Sequence, residues 1–194
     1  LTEKGLRGAV RLRPEMEAAH YNLAQSLVSQ GRVAEAADAA RVAIGINPGN
    51  PHIHSVLGNA LDRLGQLEDA LAAHRQAIAL QPEAVAARLE FAGTLANHGR
   101  INEAVSAYRE VLARDPDNVL ARFKLARLVR YEARDSEVEA LAALAGRNDL
   151  SNEDAGSLNF ALGKVLEDIE DHDGAFGSFV RANAFLRRDF SYST

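Results

Sequence analysis

Apolar residues recur along this chain at helical spacing within short segments, and the segments recur every 34 residues. In each 34-residue unit the seventh and eleventh places are apolar, and residues four apart lie on one face of a helix. The seventh place holds Leu23, Leu57, Phe91 and Leu125, and the eleventh holds Leu27, Leu61, Leu95 and Val129. The pattern therefore predicts an amphipathic helix at the start of every unit.

Prolines and glycines mark where the helices end. The prolines are each 34 residues apart, at Pro14, Pro48, Pro82 and Pro116. A fixed period of this size indicates a helical repeat protein. Glycine can end a helix in the left-handed conformation, and one falls mid-unit at Gly31, Gly65 and Gly99. Since a proline cannot continue the second helix, each of the units 17–50, 51–84 and 85–118 is predicted to be a helical hairpin.

Small residues occupy two further places of the unit. The eighth place holds Ala24, Gly58, Ala92 and Ala126, and the twentieth holds Ala36, Ala70 and Ala104. A side chain of this size lets the paired helix approach closely. His74 stands where the second helix has an aromatic residue, and we expect it to be packed and hydrogen-bonded.

The fourth unit, 119–150, departs from the pattern. Ala133 stands where glycine is expected, and no proline follows. Its second helix is predicted from about Ser136 to Ala145, with Asp135 or Ser136 capping its start.

A last repeat is predicted at 151–189, where the period resumes from Leu162 after a short insertion. Ser151, followed by Asp154, is expected to cap an extended first helix. Residues 190–194 form a tail.

Both ends of the chain look cut. Residues 2–14 fit the second helix of a partial repeat, with Ala9 and Leu12 on its apolar face. The last helix is apolar, with no polar helix after it, although solenoids need such a cap for solubility. Its apolar residues are Phe176, Val180, Phe185, Leu186, Phe190 and Tyr192. This predicts either a protein that continues beyond Thr194 or a free-standing scaffold that associates with itself through this helix.

The second unit shows the motif most clearly. It carries L-G-x-x-L from Leu57, A-x-x-x-H-x-x-A from Ala70 and a terminal Pro82, and it resembles the tetratricopeptide repeat (TPR). The resemblance implies an all-α fold: a right-handed α-solenoid over 1–194, with about five repeats plus a partial N-terminal one. The tryptophan usual at the fourth place is replaced by His20, His54, Arg88 and Arg122.

The last repeat is more distinctive. FALGKVLEDIEDHDGAFGSFVRANAFLRR (160–188) and ARFKLARLVR (121–130) resemble the final repeats of bacterial proteins in which TPRs precede a sulfotransferase domain. That resemblance implies a catalytic domain beyond Thr194 and places no catalytic residue here. Since no nucleophile, base and orienting group converge in the sequence either, we expect a non-enzymatic chain.

Composition limits the classes of partner and of binding site that this chain can have. A net charge of −5 argues against a general nucleic-acid surface, which needs clustered positive charge. No apolar run is long enough to span a bilayer, and the absence of cysteine fits a cytoplasmic protein. His52 and His54 are two apart on a helix and point to different faces, so no metal site is predicted. The acidic run at 167–173 is interpreted as a solvated turn, and no cofactor is expected.

The TPR resemblance implies that the first helices line a concave groove and expose their second, fifth, ninth, twelfth and thirteenth places. We expect a peptide to contact Tyr21, Gln25, Ser55, Asn59, Arg63, Leu89, Asn97, Phe123, Arg127, Arg130, Tyr131, Phe160 and Lys164. This surface is apolar along one track and basic toward its C-terminal half, which suits a protein or peptide with acidic groups. The carboxylate clamp of chaperone-binding TPRs is absent in this register.

An alternative remains open for the basic residues. Arg127 and Arg130 could instead pair with Glu167 or Asp168 of the next unit and hold the stack together.

Overall fold

The computed structural model describes residues 2–188, which are helical with no strand among them. The helices are α1 (Glu3–Leu12), α2 (Glu17–Ser29), α3 (Val33–Ile46), α4 (Pro51–Arg63), α5 (Leu67–Leu80), α6 (Val85–Asn97), α7 (Ile101–Arg114), α8 (Val119–Leu128), α9 (Ser136–Ala145), α10 (Asn152–Asp168) and α11 (His172–Arg188). The chain divides into two compact units, one up to Ala107 and one from Tyr108. No helix in this range is long and apolar enough to cross a membrane.

The predicted hairpins are confirmed in the first two regular repeats. Helix α2 packs on α3 and α4 packs on α5. The turns between paired helices place Gly31, Gly65 and Gly99 at φ +78°, +76° and +75°. The residue after the glycine then donates back to the first helix, as Gln66 N–H does to the Leu61 carbonyl oxygen at 2.9 Å. A left-handed glycine followed by this bond is a common helix C-terminus.

The small residue at the eighth place accommodates a ring from the second helix. A Cβ added to Gly58 would lie 2.5 Å from the His74 ring, and a Cβ on Gly163 would lie 2.5 Å from the Phe179 ring. His74 is fully buried, and its Nε2 lies 3.2 Å from Thr94 Oγ1, so the expectation of a packed, hydrogen-bonded histidine is confirmed. At the twentieth place the three alanines are fully buried.

The residues that replace tryptophan at the fourth place share one role. Each directs a side-chain nitrogen to the carbonyl oxygen of the proline six residues earlier. The distances are 2.9 Å for His20, 2.9 Å for His54, 2.5 Å for Arg88 and 2.9 Å for Arg122. The proline carbonyl that follows each second helix is thereby satisfied by the next helix, which helps fix their junction.

The fourth repeat differs from the sequence prediction at its first helix. Helix α8 ends at Leu128, and Val129 has extended backbone angles, so its predicted place on the helical face is wrong. Lys164 donates to the Val129 carbonyl oxygen, and Tyr131 N–H donates to Asp168 Oδ2 at 3.3 Å. These bonds to α10 satisfy backbone groups that a longer α8 would have used, and they hold the segment extended.

The later helix boundaries follow the prediction. Asp135 Oδ1 accepts from the N–H groups of Glu137 and Val138 at the start of α9. Ser151 Oγ accepts from Asp154 N–H at 3.0 Å at the start of α10. Both are side-chain caps of helix N-termini. Glu170, at φ +64°, takes the left-handed turn position that glycine holds in the regular repeats.

Two predictions about the end helices need correction. In α1, Leu6 is buried whereas Leu12 is 79% exposed, because the chain turns away after Leu12 toward Pro14. In α11, Leu186 is partly buried against Gly156, so it belongs to the packed face. Phe190 and Tyr192 lie outside the described residues.

Candidate functional site

The first unit holds a pocket between its first helices, which we call the Tyr21 pocket. It has a volume of about 350 Å³. Residues of α2, α4 and α6 supply most of its wall, with Gln81 and Ala84 from the turn before α6: Tyr21, Gln25, Val28, Ser29, Pro51, His52, Ser55, Val56, Asn59, Gln81, Ala84, Ala86, Ala87 and Glu90. Each of these helices begins its own repeat, so the repeat period brings equivalent faces together.

The polar groups of the Tyr21 pocket form a small network. Gln25 Nε2 donates to Tyr21 Oη at 2.7 Å, and Asn59 Nδ2 donates to Glu90 Oε1 at 3.1 Å. Burial raises the pKa of Tyr21, and the negative charges of Glu17 and Glu90 add to the rise. The carboxylates of Glu17 and Glu90 therefore give the pocket a negative electrostatic potential.

A buried histidine lies behind Glu90. His74 Nδ1 is 3.9 Å from Glu90 Oε2, which is too long for a hydrogen bond. Both atoms are buried and lack a hydrogen-bond partner. Burial lowers the pKa of His74, although Glu90 and Asp62 act in the opposite direction. The imidazole is consequently neutral at pH 7 and does not neutralise the carboxylate.

The second unit holds another pocket, which we call the Phe160 pocket. Its volume is also about 350 Å³, and its residues come from α8, α10 and α11: Phe123, Arg127, Ser157, Phe160, Ala161, Lys164, Phe179 and Leu186. The rings of Phe160 and Phe179 are 6.0 Å apart between centroids and tilted by 49°, within the range of a favourable aromatic contact. This pocket is apolar, with cations at its margin.

The two cations of the Phe160 pocket differ in availability. Lys164 donates to the Asp168 carboxylate and to the Val129 carbonyl oxygen, so its charge is compensated within the protein. Arg127 places its guanidinium 5.4 Å from the centroid of the Phe123 ring and is exposed. Between residues 2 and 187, no carboxylate forms an ion pair with Arg127 or Arg130. The alternative in which these arginines pair with Glu167 or Asp168 is therefore wrong, and Asp168 instead pairs with Lys164 of its own helix.

The predicted groove residues are distributed between the two pockets and other places. Tyr21, Gln25, Ser55 and Asn59 line the Tyr21 pocket. The Phe160 pocket contains Phe123, Arg127, Phe160 and Lys164. Outside both pockets are Arg63, Leu89, Asn97, Arg130 and Tyr131.

The residues outside the pockets have roles of their own. Arg63 Nη1 donates to the Val28 carbonyl oxygen at 2.5 Å, and Asn97 Nδ2 donates to Asp62 at 3.0 Å. Leu89 is partly buried and Arg130 is exposed. Tyr131 is only 6% exposed and packs in the core of the second unit with Val138 and Leu141. Placing Tyr131 on an exposed groove is wrong, because α8 ends before it and the chain turns inward.

Sequence reasoning missed Glu90 and Phe179 as pocket residues. Glu90 falls at the sixth place of its repeat, next to Leu89 at the fifth place. The prediction assigned the fifth place to the exposed face, and assigning the sixth place as well would have included Glu90. Phe179 belongs to a second helix and reaches the pocket across Gly163. The glycine itself was the available signal, since a bare Cα leaves room for a ring.

Family comparisons agree with this architecture. Two tetratricopeptide repeat models match residues 4–51 and 61–118, which together make up more than half of the chain. No curated protein sequence matches it significantly. With its all-helical hairpins and 34-residue period, the chain belongs to the tetratricopeptide repeat family, and its fold is an α-solenoid of TPR hairpins.

Solved structures share the fold at low sequence identity. A putative kinesin light chain with nearly identical TPR-like repeats from Podosopora anserina is 19% identical, with a TM-score of 0.71 over 92% of this chain and 99% of that one. YrrB, a TPR protein with an unusual peptide-binding site, is 14% identical, with a TM-score of 0.67 over 95% and 93%. The first TPR of Spaghetti (RPAP3), bound to the HSP90 peptide SRMEEVD, is 22% identical, with a TM-score of 0.54 over 58% and 89%.

Proposed function

We propose that this chain is a non-catalytic scaffold that binds a peptide or an extended protein segment on the exposed faces of its first helices. The observation that carries the proposal is the Phe160 pocket, an apolar cavity of about 350 Å³ beside Arg127, which pairs with no carboxylate among residues 2–187. Such a pocket can hold one large apolar side chain, and the guanidinium can bind a neighbouring carboxylate. The fold supports the proposal, since one protein of the same architecture is described with a peptide-binding site and another with a bound peptide.

The charge of Arg127 favours an acidic peptide. Its guanidinium lies over the Phe123 ring, which restricts its orientation, and a guanidinium without a carboxylate partner among residues 2–187 can bind one with two N–H groups. Lys164 contributes less, because Asp168 already compensates its charge. The favoured ligand is therefore an apolar residue flanked by aspartate or glutamate.

Binding of three labelled peptides tests this proposal. The peptides share a central leucine and carry flanking aspartates, serines or lysines, and fluorescence polarisation reports their affinity. We expect the acidic peptide to bind most tightly, and Arg127→Glu to weaken it by about tenfold or more, as expected for a charge-assisted contact replaced by repulsion. Arg130→Glu is the matched control, because Arg130 is exposed and lies outside the pocket.

Two results would count against the proposal. Equal binding of the three peptides would remove the role of charge, and an equal loss with Arg130→Glu would show that only the general field of the surface matters. Far-UV circular dichroism of both variants verifies that the helices are intact.

A second candidate function is self-association through α11. Phe176 and Val180 are four residues apart on this helix and are 72% and 51% exposed, so they form an apolar strip on one face. Sedimentation at several concentrations tests it. A concentration-dependent dimer that Phe176→Ser abolishes supports this function, and a strict monomer contradicts it.

The sulfotransferase resemblance and the cytoplasmic location stay predictions from the sequence. The resemblance rests on the motifs at 121–130 and 160–188. Sequencing of the gene past Thr194 tests it.

A further inference from the structure

The Tyr21 pocket differs in charge from the Phe160 pocket. Among the described residues that line it, Glu90 is the one with a formal charge at neutral pH when histidine is counted as neutral. Glu17, at the start of α2, adds a second negative charge near the Tyr21 hydroxyl. Between residues 2 and 187, no lysine or arginine forms an ion pair with either carboxylate. The first unit thus has a pocket with uncompensated negative charge.

Glu90 lines the pocket and can offer a ligand one of its two carboxylate oxygens, Oε1. Its Oε1 accepts from Asn59, whereas Oε2 is buried without a hydrogen-bond partner. Among residues 2–187, the basic group found within 4 Å of Oε2 is His74, whose Nδ1 is 3.9 Å away and whose ring is neutral at pH 7. A buried carboxylate oxygen without a partner is costly, and a cationic ligand group at Oε1 would stabilise the negative charge that the two oxygens share.

The walls of the pocket determine what kind of cation fits. Apolar surface comes from Val28, Pro51, Val56 and the alanines of α6, and the Tyr21 ring also lines the pocket. An aliphatic stem can lie along such a wall while its charged end reaches a carboxylate. Because Oε2 is buried and Asn59 already donates to Oε1, a ligand can make a single contact with Oε1, which suits the point charge of an ammonium better than the two-point contact of a guanidinium.

We propose that the Tyr21 pocket binds a lysine side chain of the bound protein segment, with Glu90 as the residue that recognises the ammonium group and Asn59 as the residue that positions Glu90. The proposal rests on the peptide-binding function proposed above. It adds that the first unit selects a basic residue, whereas the Phe160 pocket selects an apolar residue with acidic neighbours.

The test uses the whole chain and a minimal probe. Nα-acetyl-lysine N-methylamide is titrated into ¹⁵N-labelled protein, and amide shifts of α4 and α6 report binding at the pocket. The norleucine derivative keeps the stem and lacks the charge. We expect the lysine probe to bind about tenfold or more tightly than the norleucine probe, the usual effect of one charge-assisted hydrogen bond.

Glu90→Gln should reduce the affinity for lysine by about the same factor and leave the norleucine probe unaffected. Glu15→Gln is the control, because it removes the same charge at an exposed turn outside the pocket. The proposal is overturned if norleucine or the arginine analogue binds as well as lysine, or if Glu15→Gln has the same effect as Glu90→Gln. The probe comparison uses the unmodified protein, so it decides the matter even if a variant misfolds.

This outcome is separable from that of the Phe160 pocket. Loss of lysine selectivity together with intact binding of the acidic peptide would refute this inference and leave the proposed function standing. If the acidic peptide does not bind and the selectivity for lysine is retained, the function proposed for the Phe160 pocket is refuted and this inference stands.

Discussion

Replacing Gly58 by alanine tests the packing that defines the repeat. The added Cβ would lie 2.5, 2.6 and 2.8 Å from atoms Cε1, Nδ1 and Nε2 of His74. The ring cannot move into solvent, since His74 is fully buried, and a shift would lengthen its 3.2 Å bond to Thr94. The substitution therefore forces α4 and α5 apart or displaces the ring.

The magnitude follows from two opposing terms. Overpacking a core position costs about 1 to 3 kcal/mol, whereas alanine favours a helix over glycine by about 1 kcal/mol. Gly45 provides the reference, because it lies in α3 and a Cβ there meets no atom within 4 Å. Gly45→Ala therefore reports the helical gain alone, and Gly58→Ala should be less stable than Gly45→Ala by about 1 to 3 kcal/mol.

Urea unfolding followed by far-UV circular dichroism measures this difference, provided that the dependence on urea is the same for both variants. A double variant adds an internal check. In a His74→Ala background the ring is gone, so Gly58→Ala should no longer be destabilising, and the two substitutions should couple strongly. If Gly58→Ala is as stable as Gly45→Ala, the proposed contact between residue 58 and the ring is wrong.

Two other predictions concern buried residues. Tyr131→Ala should destabilise the second unit by about 3 to 5 kcal/mol in urea unfolding, the usual cost of truncating a buried aromatic side chain. Weaker peptide binding at unchanged stability would instead indicate that Tyr131 is exposed and contacts the peptide. Because the pKa of His74 is lowered in the folded chain, the unfolded chain takes up a proton more readily than the folded one. The free energy of unfolding should therefore keep the full contribution of neutral His74 above about pH 6.5 and decrease as the pH falls below it. His74→Phe keeps a ring at this position, as Phe179 does beside Gly163, but removes the titrating group. Its unfolding midpoint should therefore change less between pH 5 and 7 than that of the unmodified protein. An identical pH profile in both proteins would contradict this.

The helical hairpins could be read from the sequence because their determinants are local and periodic. Gly31, Gly65 and Gly99 mark turns that need a left-handed residue, and the prolines end the second helices. Because the same helix-ending residues recur every 34 residues, the pattern in each repeat supports the helix boundaries predicted for the others. The caps at Asp135 and Ser151 were predictable for the same reason, since a cap depends on residues only two or three positions away.

The fourth repeat shows where local reasoning ends. The residues 129–131 continue the helical pattern, yet the backbone leaves the helix at Val129. Contacts with Lys164 and Asp168, more than thirty residues later, decide this conformation. Similarly, Glu170 takes a left-handed turn without glycine, because the packing of α10 on α11 requires the turn.

The sequence by itself determined the all-helical architecture, the period and the positions of most helix boundaries, because each depends on residues within one hairpin. It also named some of the residues that line the two pockets, among them Tyr21 and Phe160. Only the tertiary structure decided their chemistry. It showed that Lys164 pairs with Asp168, that no carboxylate among residues 2–187 pairs with Arg127, and that the Oε2 atom of Glu90 is buried beside a neutral His74. These facts depend on which side chains meet across neighbouring repeats, and a periodic pattern does not specify that.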